Sequence, residues 1–325
     1  MSSVANSGLR LPVKAPEQFS QALEIKQEDF SYGDHDLQKV SVYRRRWGEE
    51  SARLPAGKGV WIIYIHGGAW RDPAVTDTSI RPAIRELFKN PSSTKLIDDN
   101  VPYIASISYR LSYHSLHPQK PETPDNQINR AKHPDHIQDV ITGISFLQNK
   151  YGFGSKYILV GHSCGATLAF QIFLRKIFSI PHDIPFKNPE VVVGVAGIYD
   201  MRLLRDKNPH PIYQDFLVSA FGHEVSDWDS ASPANYNLST FKWPEVKAIL
   251  VVSSSGDELV DASQINCMDS RLENMTANLR VKVLKGFVDQ THNDIWEKGT
   301  GLAKIIVEGL ETWLDITKAE LEMLR

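Results

Sequence analysis

The sequence predicts an α/β protein in which helices cover both faces of a mostly parallel sheet. Continuous apolar runs of strand length occur at 60–65, 191–196 and 248–253. Such runs are typical of strands that are buried on both faces. Residues 136–150 instead carry apolar side chains at helical spacing. Strands that alternate with helices along the chain favour a mostly parallel sheet.

The other elements follow in chain order. The predicted strands are 40–43, 60–65, 103–109, 156–160, 191–196, 248–253 and 281–284. The predicted helices are 82–89, 136–150, 166–174, 264–277 and 301–324. Polar residues 1–20 predict a loose lead-in, 112–135 predict a long loop, and the proline- and aromatic-rich segment 200–240 predicts an inserted cap. No linker divides 1–325, so we expect a single domain with that cap.

Composition excludes several classes of protein. The chain has 325 residues, of which 42% are hydrophobic, and this suits one large domain with a sizeable core. A formal net charge of -3 gives no reason to expect nucleic acid or an anionic membrane as a partner. With 2 cysteines and no apolar signal segment at the N-terminus, we expect a cytoplasmic protein. The histidines near the long loop lack metal-ligand spacing, so no metal is expected.

Residues 161–165 read G-H-S-C-G, a G-x-S-x-G pattern. They lie between the predicted strand 156–160 and the predicted helix 166–174. A serine on such a sharp turn has strained backbone angles and an exposed hydroxyl. Small residues two positions before and after it are needed because larger side chains would clash inside the turn. Ser163 is therefore the candidate nucleophile.

Cys164 is the alternative nucleophile within the same pattern. Moving the turn by one residue would place His162 where a small residue is required. We therefore expect Cys164 to lie behind the turn and to donate only its backbone N–H. His162 is expected to pack or to line the pocket.

A serine hydroxyl is a poor nucleophile at neutral pH, so it needs a base and a carboxylate that orients the base. Strand 248–253 runs into Asp257, and the polar loop after the last predicted strand contains His292. Because active-site loops follow the carboxyl ends of strands, these residues are the candidate partners, in the order Ser, Asp, His. Glu258 and Asp261 are the competing carboxylates.

Residues 66–70 read H-G-G-A-W and follow a predicted strand. Glycines allow backbone N–H groups to approach a substrate carbonyl and to stabilise a developing oxyanion. Gly67 and Gly68 are the candidate donors, and the N–H of Cys164 would complete the oxyanion hole. The residues alone leave open which two amides of Gly67, Gly68 and Ala69 contribute.

Together these motifs resemble those of the α/β-hydrolases. The H-G-G-x-W box and the S-Y-R-L-S segment at 108–112 are similar to the hormone-sensitive-lipase-like branch. The fungal kynurenine formamidase family is more similar still, through D-P at 72–73, G-I-Y at 197–199, S-G-D-E-L at 255–259 and H-N-D at 292–294. The similarity runs from about strand 60–65 to the C-terminus. The resemblance implies an α/β-hydrolase fold with an eight-stranded, mostly parallel sheet.

The resemblance also implies a function. It implies hydrolysis of N-formyl-L-kynurenine to L-kynurenine and formate, within tryptophan degradation toward NAD synthesis. It further implies a small-molecule substrate, no cofactor and a homodimer. Trp70, Tyr199 and the aromatic residues of the predicted cap are candidates for the apolar wall around the aryl group, although core packing would explain each of them equally well.

Other activities are compatible with parts of the same pattern. A carboxylesterase for small aryl or acyl esters would use the same serine chemistry, and an acyltransferase would use it while excluding water. A ligand receptor built on an inactive hydrolase would lack one of the catalytic residues. Because Ser163, Asp257 and His292 are all present, the sequence disfavours the receptor.

Overall fold

The computed structural model describes residues 25–45, 54, 58–181, 184–241, 243–273, 275 and 279–323. Its strands are β1 (Ile25–Ser31), β2 (Lys39–Arg45), β3 (Trp61–Ile65), β4 (Ile104–Ile107), β5 (Tyr157–His162), β6 (Val191–Val195), β7 (Ala248–Ser254) and β8 (Arg280–Val288). They form one eight-stranded sheet in the order β1-β2-β4-β3-β5-β6-β7-β8. β2 pairs antiparallel with β1 and β4, and all other neighbours are parallel. The predicted mostly parallel sheet is confirmed.

Helices cover both faces of this sheet. They are α1 (Arg81–Leu87), α2 (Pro91–Asn100), α3 (Asp135–Tyr151), α4 (Cys164–Gln171), α5 (Met201–Lys207), α6 (Pro211–Phe221), α7 (Val225–Ala231), α8 (Ala262–Leu272), α9 (Asp294–Glu297) and α10 (Thr300–Met323). Successive side chains of a strand point to opposite faces. Ile63 therefore packs in the core with α3, α4 and α8, whereas Ile62 packs in the core with α1, α2 and α10.

The elements that the sequence did not predict include β1 and α2. Strand β1, with the sequence I-K-Q-E-D-F-S, lies at the sheet edge and pairs only with β2. A strand at the edge of a sheet buries few of its side chains, so it can carry charged residues. Its sequence therefore has no apolar pattern from which a strand could be predicted. Helix α2 buries a single side chain, Ile97, and its start is marked by Asn90, whose side chain accepts a hydrogen bond from the N–H of Ser92. A helix with so few apolar residues shows no helical spacing of apolar side chains in its sequence.

The segments outside the regular βα pattern surround the carboxyl ends of the parallel strands. Segment 200–240 contains the three helices α5, α6 and α7, and Leu204 and Phe216 from it line a cavity at this edge. Within 112–134 the only regular element is a 3-10 turn at Asp125–Gln127. The predicted lead-in 1–20 lies outside the described residues. In the described part of the chain, no helix is long and apolar enough to cross a membrane.

Asp139 on α3 is a buried carboxylate that joins separate segments of the fold. It accepts hydrogen bonds from the backbone N–H of Arg110 at 2.9 Å and from Nε and Nη2 of Arg110, both at 2.8 Å. Nε2 of Gln38 also donates to it at 2.8 Å. These bonds fix the backbone directly after β4, where Tyr109 lies beside the H-G-G-A-W turn.

We predict that Asp139→Ala lowers the free energy of unfolding by about 3–5 kcal/mol, because the partly buried Arg110 loses its counter-charge. Asp135→Ala is the control, since its 40% exposed carboxylate lies 3.6 Å from the same guanidinium. An exposed pair of this kind contributes about 1 kcal/mol or less. Urea denaturation measures both values, and equal losses would contradict a structural role for Asp139.

Candidate active site

Ser163 lies on the turn between β5 and α4, with φ of 56° and ψ of -124°. A positive φ costs about 1–3 kcal/mol for a residue with a side chain, and it persists only where the surroundings enforce it. Here the N–H of Ser163 donates to the carbonyl of Val195 at 2.9 Å, and its carbonyl accepts from the N–H of Ala166 at 2.9 Å. The turn therefore holds the strained geometry expected of an elbow serine.

The flanking glycines allow this turn to form. A Cβ at Gly161 would lie 2.2 Å from the carbonyl oxygen of Gly165. A Cβ at Gly165 would lie 2.3 Å from the carbonyl oxygen of Ile65 on β3. No side chain fits at either distance, so both glycines are required for the close packing of α4 on β5 and β3.

His292 and Asp257 form a buried hydrogen-bonded pair. Nδ1 of His292 lies 2.8 Å from Oδ2 of Asp257, and the two side chains are 6% and 2% exposed. The other carboxylate oxygen, Oδ1, accepts from the backbone N–H groups of Leu259 at 3.0 Å and Val260 at 2.9 Å. These bonds fix the carboxylate, and the carboxylate in turn fixes the orientation of the imidazole.

The competing carboxylates lie in the same loop but have other partners. Oε2 of Glu258 accepts from the backbone N–H of His292 at 3.0 Å, away from its ring. Oδ1 of Asp261 accepts from the N–H of Ser263 at 2.8 Å and caps the start of α8. Of these three described carboxylates, only that of Asp257 is hydrogen-bonded to the imidazole.

Close backbone packing brings the two loops of this pair together. A Cβ at Gly256 would lie 2.2 Å from the carbonyl oxygen of Asp289. The hydroxyl of Ser254 donates to the carbonyl of Gln290 across the same contact. The loop after β7 therefore presents Asp257 directly to the loop that carries His292.

Tyr109 holds the turn that follows β3. Its buried hydroxyl donates to the carbonyl of His66 at 3.1 Å and to that of Gly67 at 3.2 Å. Its ring stacks on the imidazole of His66 with ring centroids 4.4 Å apart. Because these carbonyls are fixed by the phenol, the direction of the amides that follow them is fixed as well.

The next residues of this turn reach the same cavity as the serine. Gly68, Ala69 and Trp70 all have left-handed backbone, with φ of 93°, 49° and 59°. Gly68 and Ala69 line the cavity that contains Ser163, whereas Gly67 packs so that its Cβ would lie 3.0 Å from Cβ of Ser163. The sequence predicts Gly67 and Gly68 as donors. In the structure, Gly68 and Ala69 line the cavity, and Gly67 is not among the lining residues.

Cys164 lies behind the elbow. Its thiol is buried and accepts a hydrogen bond from the backbone N–H of Trp70 at 3.3 Å. Burial raises the pKa of this thiol to about 11, so it is protonated at neutral pH and is a weak nucleophile. Because α4 begins at Cys164, its backbone N–H has no acceptor within the helix.

Ser163 and His292 line one cavity of about 220 Å³. Its aromatic wall consists of Tyr213 and Phe216 from α6 and Trp296 from α9. Apolar walls with a few convergent polar groups are typical of a site for a small organic molecule. Among the described residues, no group of His, Cys, Asp and Glu is arranged to hold a metal ion.

Trp70 and Tyr199 lie in the core and not at this cavity. Their side chains are 0% and 1% exposed. The indole of Trp70 packs edge-on against Phe221, and the ring of Tyr199 packs edge-on against Phe170. The left-handed backbone at Trp70 turns its side chain inward. The structure thus differs from the expectation that these two rings form the aryl wall.

Arg71 and Trp296 are cavity residues that the sequence did not single out. Arg71 directly follows the H-G-G-A-W box, and Trp296 lies one helical turn after His292. Their positions next to predicted site residues are the only signal in the sequence. Neither residue type has a fixed role after such motifs, so tertiary structure was needed to place them.

Burial lowers the pKa of several histidines. It lowers the pKa of His66 and of His133 to about 4 and that of His136 to about 3. It holds the pKa of His162, whose ring lies 4.7 Å from that of His292 between centroids, well below the ordinary value. These imidazoles are therefore neutral at neutral pH.

We predict that stability falls as the pH is lowered from about 6.5 to 4.5, because the unfolded chain then binds protons that the folded chain does not. Each buried histidine contributes up to about 1.4 kcal/mol per pH unit in this range. Urea denaturation across the range measures the slope. His133→Phe should reduce the slope by about one proton, and an unchanged slope would refute this assignment.

We predict that Gly161→Ala lowers the free energy of unfolding by about 1–3 kcal/mol or more, because the added Cβ overlaps the backbone of Gly165. Gly152→Ala is the control, since Gly152 has φ of 68° but a Cβ there would meet no atom within 4 Å. It should lose only about 1 kcal/mol, from backbone strain. Chemical denaturation compares them, and a smaller loss for Gly161→Ala would contradict the packing argument.

The chain is similar to fungal enzymes along most of its length. It is 38% identical over 269 residues to the kynurenine formamidase-like hydrolase fscH of Fusarium equiseti, in a match that covers 81% of this chain and 86% of that protein. It is 34% identical over 262 residues to the kynurenine formamidase avaC of Aspergillus versicolor, in a match that covers 74% of this chain and 85% of that protein. No family model matches the chain.

Solved structures with the same architecture are esterases and lipases. Esterase B from Lactobacillus rhamnosis superposes with a TM-score of 0.65 at 16% identity, covering 92% of this chain and 88% of that one. A hormone-sensitive lipase from a metagenome library superposes with a TM-score of 0.54 at 16% identity, covering 92% and 88%. The predicted α/β-hydrolase fold is thus confirmed. Together with the fungal relatives, this shows that the chain is a hydrolase and belongs to the kynurenine formamidase family.

Proposed function

We propose that the protein is an arylformamidase that hydrolyses N-formyl-L-kynurenine to L-kynurenine and formate, a step of tryptophan degradation. One observation carries the proposal: His292, which is hydrogen-bonded to the buried Asp257, lines the same cavity as the elbow serine, Ser163. The names of the fungal relatives support the choice of substrate. The proposed steps use only side chains, backbone amides and water.

The first step transfers the formyl group to the enzyme. With Nδ1 of His292 donating to Asp257, Nε2 is the nitrogen that accepts a proton. Ser163 Oγ attacks the formyl carbon while Nε2 takes the hydroxyl proton, and the carbonyl electron pair moves onto its oxygen. When this intermediate collapses, the C–N bond breaks and the imidazolium protonates the departing aromatic amine. The product that remains is a formyl ester of Ser163.

The second step releases formate. Nε2 of His292 takes a proton from water as the water oxygen attacks the formyl ester. The second tetrahedral intermediate then expels Ser163 Oγ, which regains its proton from the imidazolium. Asp257 stabilises the positive imidazolium in both steps and stays ionised throughout.

Backbone amides stabilise the oxyanion in both intermediates. Gly68 lines the cavity, and the N–H of Cys164 lies at the free N-terminus of α4. We assign these two amides as the donors, with each contributing about 10²–10³ in rate. The strained turn that Tyr109 holds provides this arrangement before substrate arrives, so no reorganisation is needed during the reaction.

The cavity walls suit an aryl formamide. The formyl group carries only hydrogen beyond its carbonyl, so it needs little space beside the elbow. Tyr213, Phe216 and Trp296 provide aromatic surfaces for the anthraniloyl ring. Aromatic pairs of this kind add about 0.5–1.5 kcal/mol beyond the area that they bury.

We predict that the wild-type protein releases formate from N-formyl-L-kynurenine and that Ser163→Ala and Asp257→Asn each lower kcat by about 10⁴-fold. Asp261→Asn is the matched control, because its carboxylate lies in the same loop but caps α8. It should keep the wild-type rate. Formate release, followed by a coupled assay, measures each variant.

Comparison with p-nitrophenyl acetate separates the proposed activity from that of a carboxylesterase. A kcat/KM that favours the ester over N-formyl-L-kynurenine by orders of magnitude would overturn the proposed substrate but leave the serine mechanism in place. Full formamidase activity in Ser163→Ala would instead overturn the mechanism. A cytoplasmic location and a homodimer stay predictions from the sequence.

A further inference from the structure

Arg71 is a buried cation in the wall of the active-site cavity. It directly follows Trp70, whose left-handed backbone turns the chain at this point. The residue is 2% exposed, yet it lines the cavity together with Ser163 and His292. A charge in such a position is costly unless it is paired, so its partners decide what it does.

The side chain has one carboxylate partner. Nη1 of Arg71 donates to Oδ2 of Asp215 on α6 at 2.6 Å, and the hydroxyl of Ser115 donates to the same oxygen at 3.0 Å. The guanidinium carbon also lies 6.0 Å from the ring centre of Phe216. These contacts fix the guanidinium plane. Because Asp215 is 49% exposed, water screens it and it neutralises the arginine only in part.

Some donor groups of the Arg71 guanidinium have no acceptor among the described residues. A guanidinium carries N–H donors on all three nitrogens and has no acceptor. Among the described residues, only Nη1 has a hydrogen-bond acceptor. Nε and Nη2 are not fully buried. Both atoms therefore keep some surface that a ligand can reach. Because Arg71 lines the cavity, we expect a ligand to reach these donors from the cavity.

Among the described residues that line the cavity, Arg71 is the only lysine or arginine. His114 lies nearby, and burial together with the adjacent guanidinium lowers its pKa, which disfavours a second positive charge. Asp72 accepts from the backbone N–H of Ala74 at 2.9 Å. An anionic group of a ligand would therefore have Arg71 as its partner.

We propose that Arg71 binds the α-carboxylate of the substrate and makes the enzyme selective for aryl formamides that carry a carboxylate. Arginine is suited to this because its planar fork matches the two oxygens of a carboxylate. Asp215 is a positioning residue that orients the fork. This inference rests on the proposed function, which supplies an amino-acid substrate. It adds the reason why such a substrate is preferred over a neutral aryl ester or formamide.

The test compares N-formyl-L-kynurenine with its α-carboxamide, which differs only at the carboxylate. The wild type should favour the carboxylate by about 10- to 100-fold in kcat/KM. Arg71→Gln should reduce that preference to about threefold or less. Arg71→Lys keeps the charge but not the fork, so its preference for the carboxylate should be intermediate. It provides the test if the glutamine variant does not fold. Arg202→Gln, on the outer side of α5, should retain the wild-type preference.

Calorimetric binding of L-kynurenine and its carboxamide needs no turnover, so it separates this inference from the proposed function. Carboxylate-dependent binding that Arg71→Gln abolishes supports the inference even if the wild type releases no formate. A wild-type enzyme that hydrolyses both formamides equally well would overturn the inference and leave the function intact. An equal preference in the wild type and Arg71→Gln would overturn it as well.

Discussion

The close backbone contact between β5 and α4 is the constraint on which the site depends. A Cβ at Gly161 would overlap the backbone of Gly165, and a Cβ at Gly165 would overlap the carbonyl of Ile65. This contact holds Ser163 in its strained conformation at the wall of the cavity. The stable packing of the sheet and helix thus supports the local strain, which a flexible loop could not sustain.

The oxyanion turn depends on a second set of buried contacts. Three successive residues with left-handed backbone are held between the hydroxyl of Tyr109 and the thiol of Cys164. Tyr109 is itself fixed because the neighbouring Arg110 is bound by the buried Asp139. The amides of the turn are therefore oriented by a network that extends from the cavity to α3, and preorganised donors of this kind cost no reorganisation during catalysis.

The residues that line the cavity supply different kinds of chemistry. Ser163 and His292 perform the covalent and proton-transfer steps in the proposed reaction. The aromatic wall from α6 and α9 suits the ring of an arylamine, and Arg71 supplies the only cation among the described lining residues. Membership in the kynurenine formamidase family fits this combination, since a substrate that is both aromatic and an amino acid needs an apolar surface and a charged anchor.

Local patterns of apolar residues and glycines were enough to predict the sheet, most of its strands, five of the ten helices described, the elbow and the loops that carry the acid and the histidine. The sequence by itself could not decide which amide lines the cavity, whether Trp70 faces the substrate, or that Arg71 does. Those answers depend on backbone angles and on contacts between segments distant in the chain. The Asp215 partner of Arg71 lies 144 residues away, and only the folded structure brings them together.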